Sequence, residues 1–117
     1  MITEHNAEQV RARVLVEAAN HPTNTGADKI LHDMGVRVVP DLLANAGGVT
    51  GSYFEWAQNI QQFTWEEEKV NAELHRHMRD AYATLARVVR ERKVSFRTAA
   101  FIVAIGRVGR ATVLRGV

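Results

Sequence analysis

The sequence predicts an α/β fold in which two short parallel strands accompany four or five helices. The first strand is Val14–Val16, a continuous apolar run typical of a strand covered on both faces. The second strand spans residues 36–39 (Val-Arg-Val-Val) and is ended by Pro40. A loop and a helix separate the two strands, which favours a right-handed βαβ unit. So small a sheet would leave strand edges unpaired.

Local signals place the remaining elements of the N-terminal part. Residues 3–12 open with Thr3 and Glu4, and we expect a short helix there. Residues 20–24 form a loop, since the residue before Pro22 is pushed out of the helical region. Residues 26–34 are predicted to be a helix that stops at a left-handed Gly35.

Three helices are predicted in the C-terminal part. The first spans residues 48–62, and the second begins at residues 64–67 (Thr-Trp-Glu-Glu), which have the spacing of a capping box. Ser95 is the predicted N-cap of the last helix, which runs to about Leu114 and carries small residues that allow close packing. The second helix has one apolar stripe, formed by Val70, Leu74, Met78, Ala81, Leu85 and Val88. The small residues of the last helix are Ala99, Ala100, Ala104, Gly106 and Gly109.

Composition bounds the class of protein. With 117 residues, 46% hydrophobic and 24% charged, the chain fits one globular domain. It has no cysteine, which excludes disulfides and thiolate chemistry and makes the cytoplasm the expected compartment. The apolar run at residues 99–105 is too short to cross a bilayer, so no membrane partner is expected. His75 and His77 lie about 200° apart on a helix, so they cannot chelate one metal ion.

Charge is distributed unevenly along the chain. Residues 1–75 carry five basic and eleven acidic side chains, whereas residues 76–117 carry ten basic and two acidic ones. A basic half can indicate nucleic-acid binding. Here six of the basic residues lie on one predicted helix without any recognised binding motif, so a solvated or subunit-contacting face is the favoured interpretation. These residues are Arg76, Arg79, Arg87, Arg90, Arg92 and Lys93.

Residues 39–56 are the most informative segment and read Val-Pro-Asp-Leu-Leu-Ala-Asn-Ala-Gly-Gly-Val-Thr-Gly-Ser-Tyr-Phe-Glu-Trp. They lead from a strand through a glycine pair into a helix, which brings main-chain N–H groups to the carboxyl end of a strand. The run closely resembles the signature after the last major strand of the cofactor domain in glutamate, leucine, phenylalanine and valine dehydrogenases. Glutamate dehydrogenases are the nearest match. Residues 14–20 resemble the family's fifth strand and its loop, and residues 97–100 the start of its terminal helix.

The resemblance implies a partial domain. Residues 2–116 correspond to the last third of a glutamate dehydrogenase, the C-terminal half of a doubly wound, Rossmann-like NAD(P)-binding domain. Residues 1–47 would be its βαβ portion and residues 48–117 its C-terminal helices. The family's catalytic lysines and aspartate have no counterpart in the chain, and no glycine-rich phosphate turn follows a strand. We therefore assign no catalytic residue and expect no activity from the chain alone.

The resemblance also implies ligand-facing residues. Asn20 would lie near the nicotinamide ribose and the substrate amino group, and Asn45 near the nicotinamide. Gly47 and Gly48 would let the cofactor approach closely, as residues without a Cβ do. Two further residues would face the substrate: Val49 would back it, and Ser52 would donate a hydrogen bond to the distal carboxylate of glutamate. A place in the first turn of the helix would also let Ser52 benefit from the helix dipole.

Each of these assignments has a structural alternative. The glycine pair could be a turn, Ser52 a helix N-cap, and Asn45 the C-cap of a short helical turn. For the aromatic residues of this segment, packing in the core and against the other domain is a more favoured interpretation than stacking on a cofactor. These residues are Tyr53, Phe54 and Trp56.

Two segments depart from the family pattern. The family loop reads Glu-Gly-Ala-Asn-Gly-Pro, whereas residues 17–22 read Glu-Ala-Ala-Asn-His-Pro. If the second glycine needs a positive φ, His21 must adopt it, which histidine tolerates poorly but not impossibly. Gly26 places a glycine in the first turn of a helix.

Two function hypotheses follow. The first is the C-terminal part of an NAD(P)-dependent glutamate dehydrogenase, which deaminates glutamate oxidatively to 2-oxoglutarate. The second is a non-catalytic module of the same fold that self-associates or binds a partner. Under either hypothesis the exposed strand edge and helix faces predict a homo-oligomer, a dimer or larger.

Overall fold

The computed structural model describes residues 1–116, which form an α/β fold with a two-stranded sheet and mostly helical remainder. A 3-10 turn over Ala7–Gln9 precedes the first strand. The strands and helices in chain order are β1 (Val14–Val16), α1 (Thr25–Asp33), β2 (Arg37–Val39), α2 (Asp41–Ala44), α3 (Ala46–Gln61), α4 (Glu67–Arg92) and α5 (Phe96–Arg115).

The predicted sheet is confirmed. β1 and β2 pair in parallel, with Leu15 opposite Val38. The prediction that β1 is covered on both faces is wrong for this chain, because Val14 and Val16 are 51% and 59% exposed. Only Leu15 turns toward the buried cluster formed by Ala7, Ala27 and Leu31. The face of β1 that carries these two valines is therefore exposed, whereas on β2 the neighbouring Val39 packs against the helices.

The helix predicted for residues 3–12 does not form. Asn6 Oδ1 accepts a hydrogen bond from the Thr3 N–H at 2.8 Å, and a tight turn results. A side chain that bonds the nearby backbone competes with the helical ladder, so only Ala7–Gln9 takes 3-10 geometry. The turn still places Ala7 in the core, where it is fully buried.

Helix α1 is capped at both ends, and only the C-terminal cap was predicted. Asn24 Oδ1 accepts a hydrogen bond from the Ala27 N–H at 2.9 Å, so the helix begins one residue earlier than expected. Gly35 ends it in the left-handed region at φ 77°, as predicted. Gly26 does lie in the first turn, and a Cβ there would collide with the Glu4 carboxylate. The Glu4 side chain, which is exposed, would have to move to admit a larger residue at this position.

The helix predicted over residues 48–62 begins earlier and is preceded by a separate turn of helix. Pro40 occupies the N-cap position of α2. Asn45, at φ −96° and ψ 0°, ends α2 and also precedes α3. Gly47 and Gly48 consequently lie within the first turn of α3 rather than in a loop before it.

Helix α4 confirms the apolar stripe but not the capping box. The helix begins at Glu67, and Glu66 at its N-cap makes no side-chain cap hydrogen bond. The Trp65 N–H instead donates to Gln58 Oε1 at 2.6 Å, and its ring packs against Phe54 with ring centroids 5.7 Å apart. These contacts with α3 hold residues 64–66 outside the helix. All the stripe residues are buried or half-buried.

Helix α5 is N-capped by Ser95 as predicted, with Ser95 Oγ accepting from the Thr98 N–H at 3.2 Å. Ala99 and Ala100 pack with Leu43 and Leu85 in a second buried cluster. The other small residues do not pack closely, since Ala104, Gly106 and Gly109 are exposed in residues 1–116. None of the helices in this part of the chain combines the length and apolar character needed to cross a membrane.

Candidate functional site

Asn20 and Asn45 meet at the carboxyl ends of the two strands. Asn20 follows β1 and Asn45 follows β2 and the short helix α2. The Asn45 Nδ2 donates a hydrogen bond to Asn20 Oδ1 at 2.6 Å. Open α/β sheets bind their ligands at this edge, so the structure joins the two asparagines where a ligand is expected. The alternative interpretation of Asn45 is also confirmed, because it is the C-cap of α2.

The loop between β1 and α1 adopts the backbone that the family pattern predicts. His21 has φ 47°, in the left-handed region. Its N–H donates to Asp41 Oδ2 at 2.7 Å. Histidine is one of the non-glycine residues found more often in this region, and the hydrogen bond offsets part of its strain. His21 therefore takes the conformation expected of the family's glycine.

The remaining predicted site residues lie along one face of α3. Asn45, Val49 and Ser52 are spaced by four and three residues, which places them in line. Val49 is 71% exposed and Ser52 is also exposed. Ser52 is well inside α3, which begins at Ala46, so it is neither an N-cap nor a first-turn residue. The helix-dipole argument for Ser52 is therefore wrong.

The glycine pair contributes backbone within this helix. A Cβ on Gly47 would make ordinary contacts with Leu74 and Met78 of α4 at 3.9 Å. A Cβ on Gly48 would meet no atom within 4 Å. The interpretation of the pair as a simple turn is wrong, and nothing in residues 1–116 requires glycine at position 48 on steric grounds.

The aromatic residues of α3 divide between core and surface. Phe54 is buried, as predicted, and packs against Trp65 and His77 of the neighbouring segment. Tyr53 and Trp56 are 60% and 58% exposed. A row of exposed apolar side chains thus extends along α3 and just beyond its C-terminal end: Val49, Tyr53, Trp56, Ile60 and Phe63.

An ionic cluster behind the asparagine pair was not predicted from the sequence. Arg97, at the start of α5, makes three contacts with carboxylates. Its Nη2 lies 2.6 Å from Glu17 Oε1, its Nε 3.0 Å from Asp28 Oδ1, and its Nη1 3.5 Å from Asp41 Oδ1. The Glu17 side chain is 1% exposed and that of Arg97 14%. The only sequence signal was the separation of acidic and basic charge between the two halves of the chain.

Hydrogen bonds shift the pKa of two groups in this cluster, Asp41 and Arg97. Partial burial opposes ionisation of Asp41, but the N–H groups of His21 and Leu42 and the charge of Arg97 hold the pKa of its carboxyl below the usual value. Burial likewise opposes the charged form of Arg97, and hydrogen bonds to Glu17 and Asp28 more than offset it and raise the guanidinium pKa. The residues described here contain no group of three or more histidine, aspartate or glutamate side chains arranged to hold a metal ion.

The sequence as a whole matches one family. The model of the glutamate/leucine/phenylalanine/valine dehydrogenase family aligns with residues 1–116. The chain belongs to this family. Among curated members of the family, glutamate dehydrogenase B of Halobacterium salinarum is 47% identical over 116 residues, which are 99% of this chain and 27% of that protein.

Solved structures of family members share the fold. A glutamate dehydrogenase from Peptoniphilus asaccharolyticus has a TM-score of 0.91 and 37% identity over 99% of this chain and 29% of its own. The hetero-hexameric, leucine-bound glutamate dehydrogenase from Thermus thermophilus has a TM-score of 0.92 and 35% identity over 97% of this chain and 27% of its own. The fold is accordingly part of a Rossmann-like α/β domain, and the chain spans less than a third of the length of these relatives.

Proposed function

We propose that this chain is the segment of an NAD(P)-dependent glutamate dehydrogenase that forms the nicotinamide- and substrate-facing wall of the catalytic cleft. It would comprise part of one cofactor domain, with residues 1–47 as the βαβ portion and residues 48–117 as the C-terminal helices. Because the chain spans 27% of the halobacterial relative, we expect no turnover from it alone. Cleft chemistry requires groups from both walls.

The asparagine pair is the observation that carries the proposal. The hydrogen bond from Asn45 to Asn20 uses the NH₂ group of Asn45 and the carbonyl oxygen of Asn20. Within residues 1–116 it leaves the Asn20 NH₂ group and the Asn45 carbonyl oxygen without hydrogen-bond partners. A carboxamide such as that of nicotinamide requires one acceptor and one donor, so the pair fits this cofactor. When bound, the nicotinamide would accept hydride from the α-carbon of the substrate.

The exposed face of α3 supports a substrate position beside this pair. Val49 offers an apolar wall, and Ser52, one turn further along, offers a hydroxyl donor for a carboxylate. Gly48 has open space where a Cβ would stand, which leaves room for a ligand. In this arrangement Asn20 and Asn45 orient the nicotinamide, while Val49 and Ser52 select a side chain that ends in a carboxylate.

A chimera tests the proposal. Residues 1–116 of this chain would replace the matching segment of glutamate dehydrogenase B from Halobacterium salinarum, and glutamate-dependent formation of NADH or NADPH would be measured. We expect activity from the chimera and none from the chain alone. A chimera that assembles to the size of its parent but does not oxidise glutamate would contradict the proposal, as would turnover by the isolated chain.

Ser52→Ala in the chimera should impair glutamate more than an apolar amino acid. A hydrogen bond to a charged group contributes about 1.5–3 kcal/mol, so kcat/KM for glutamate should fall roughly 10- to 100-fold. Thr50→Ala is the matched control, because the Thr50 hydroxyl already donates to the Ala46 carbonyl at 2.8 Å. Equal losses for both amino acids would mean that Ser52 does not bind the substrate carboxylate.

The alternative role, a self-associating module, is favoured by exposed apolar surface. The bare valines of β1 and the row along α3 would be buried if copies of the chain paired. We expect the isolated chain to be a homodimer or larger. Light scattering across a concentration series measures this, and a monomer that persists at tens of micromolar would rule it out.

A further inference from the structure

We propose that Arg97 is a positioning residue, which sets the distance between Asn20 and Asn45 through Glu17 and Asp41. The inference rests on the proposed function, because it concerns how the ligand-facing pair is held. Arg97 lies at the start of α5, and its side-chain hydrogen bonds go to Asp28, Asp41 and Glu17 rather than to either asparagine. Its contacts reach three other segments: the end of β1, the helix α1 and the start of α2.

The first connection joins the ends of the two strands. Arg97 Nη2 lies 2.6 Å from Glu17 Oε1, and the other carboxylate oxygen of Glu17 accepts the Asp41 N–H at 3.0 Å. Glu17 directly follows β1, and its own N–H donates to the Val39 carbonyl at 3.1 Å. The start of α2 is thereby fixed relative to the end of β1.

Asp41 forms the second connection and reaches both sides of the pair. Its Oδ2 accepts the N–H of His21, the residue after Asn20, at 2.7 Å. Its main-chain carbonyl accepts the N–H of Asn45 at 3.1 Å. One residue thus holds the backbone on either side of the asparagine hydrogen bond. The Asp41 carboxylate therefore sets the loop that carries Asn20 relative to the start of α2, the helix that ends at Asn45.

The Arg97 guanidinium keeps that carboxylate in place. Asp28, Glu17 and Asp41 converge on it, and without a positive charge the three carboxylates would repel one another. A guanidinium presents donors in a planar fork and can serve several carboxylates at once, whereas an ammonium group is a single point charge. Lysine at this position would keep the charge but would not reproduce the three contacts.

Hydrogen exchange of the chain itself tests the positioning. We expect the protection factor of the His21 amide against hydrogen exchange to fall at least tenfold in Arg97→Lys and in Arg97→Met. The resonances of the Asn45 side-chain NH₂ group should shift in both variants. The amides of buried residues such as Leu31 report any general loss of stability. The fall in protection at His21 must exceed the fall at these amides. Arg110→Met, an exposed arginine on the same helix, is the control and should leave both signals unchanged. Unchanged His21 protection and unchanged Asn45 resonances in both Arg97 variants would overturn the proposal.

The same Arg97 variants in the chimera test whether the placement of Asn20 and Asn45 affects turnover. We expect kcat for glutamate to fall at least tenfold in Arg97→Met, with partial recovery in Arg97→Lys and no change in Arg110→Met. Full turnover in Arg97→Met would overturn the proposal, because the asparagine pair would then need no support. If the unsubstituted chimera is inactive, the proposed function fails, and the amide measurements on the isolated chain still decide the positioning role.

Discussion

Replacing Arg97 with methionine should lower the free energy of unfolding by about 3 kcal/mol at pH 7, the loss typical of breaking a buried ion pair. Glu17 is the reason: its side chain is 1% exposed, and without Arg97 it would remain buried beside two other carboxylates. Urea denaturation followed by circular dichroism measures the effect. Arg110→Met should change the free energy by no more than about 0.5 kcal/mol, as surface substitutions usually do.

The difference between wild type and Arg97→Met should also depend on pH. The pKa of Asp41 is lowered in the folded state, so its contribution is present above the ordinary aspartate pKa of about 3.9 and is lost as pH falls through the folded value. Since Arg97 contributes to lowering this pKa, the difference in stability between the two proteins should narrow as pH falls below about 4. A difference that stays the same between pH 7 and pH 3 would mean that the lost stability is packing rather than charge.

Leu31→Ala should cost about 3 kcal/mol, within the range for removing a leucine from a core. Leu31 is fully buried and packs with Ala7 and Ala27, so its loss opens a cavity between α1 and the N-terminal turn. Leu42→Ala is the matched control, because Leu42 is 44% exposed and less apolar area is lost. Similar losses for both variants, measured by urea denaturation, would show that α1 does not anchor this cluster.

The sequence predicted those features that depend on neighbouring residues. The valine runs, Gly35 and Ser95 each determine their own backbone through propensity or a cap, and all four elements that they mark are present. A left-handed His21 was expected if the family's second glycine needs a positive φ, because His21 occupies the position of that glycine. Local chemistry is sufficient at Gly35 and Ser95 because the hydrogen bonds of these two caps span only a few residues.

The errors arose where distant contacts override local signals. Thr64 and Glu67 have the spacing of a capping box. In the structure, however, Gln58 on the preceding helix accepts a hydrogen bond from the Trp65 N–H. The start of α3 moved because Asn45 takes helical geometry between two helices, which placed Ser52 deeper in α3 than expected. Such outcomes depend on how helices pack, which periodicity alone does not specify.

In the candidate site, too, one contact could be expected from the sequence and another could not. Asn20 and Asn45 are 25 residues apart, and the pairing of parallel strands brings them together, as the topology predicts. The contact between Arg97 and Glu17 spans 80 residues and depends on where α5 docks. The uneven distribution of charge along the chain could not identify which arginine becomes buried.

A structure of the chimera with NAD(P) and glutamate bound tests the proposed site most directly. The nicotinamide carboxamide should lie within about 3.5 Å of the Asn20 or Asn45 side chain, the distance of a hydrogen bond. The distal carboxylate of glutamate should lie at the Ser52 hydroxyl. A nicotinamide bound elsewhere, with Asn20 and Asn45 facing only solvent or protein, would contradict the assignment of this strand edge as the wall of the cleft.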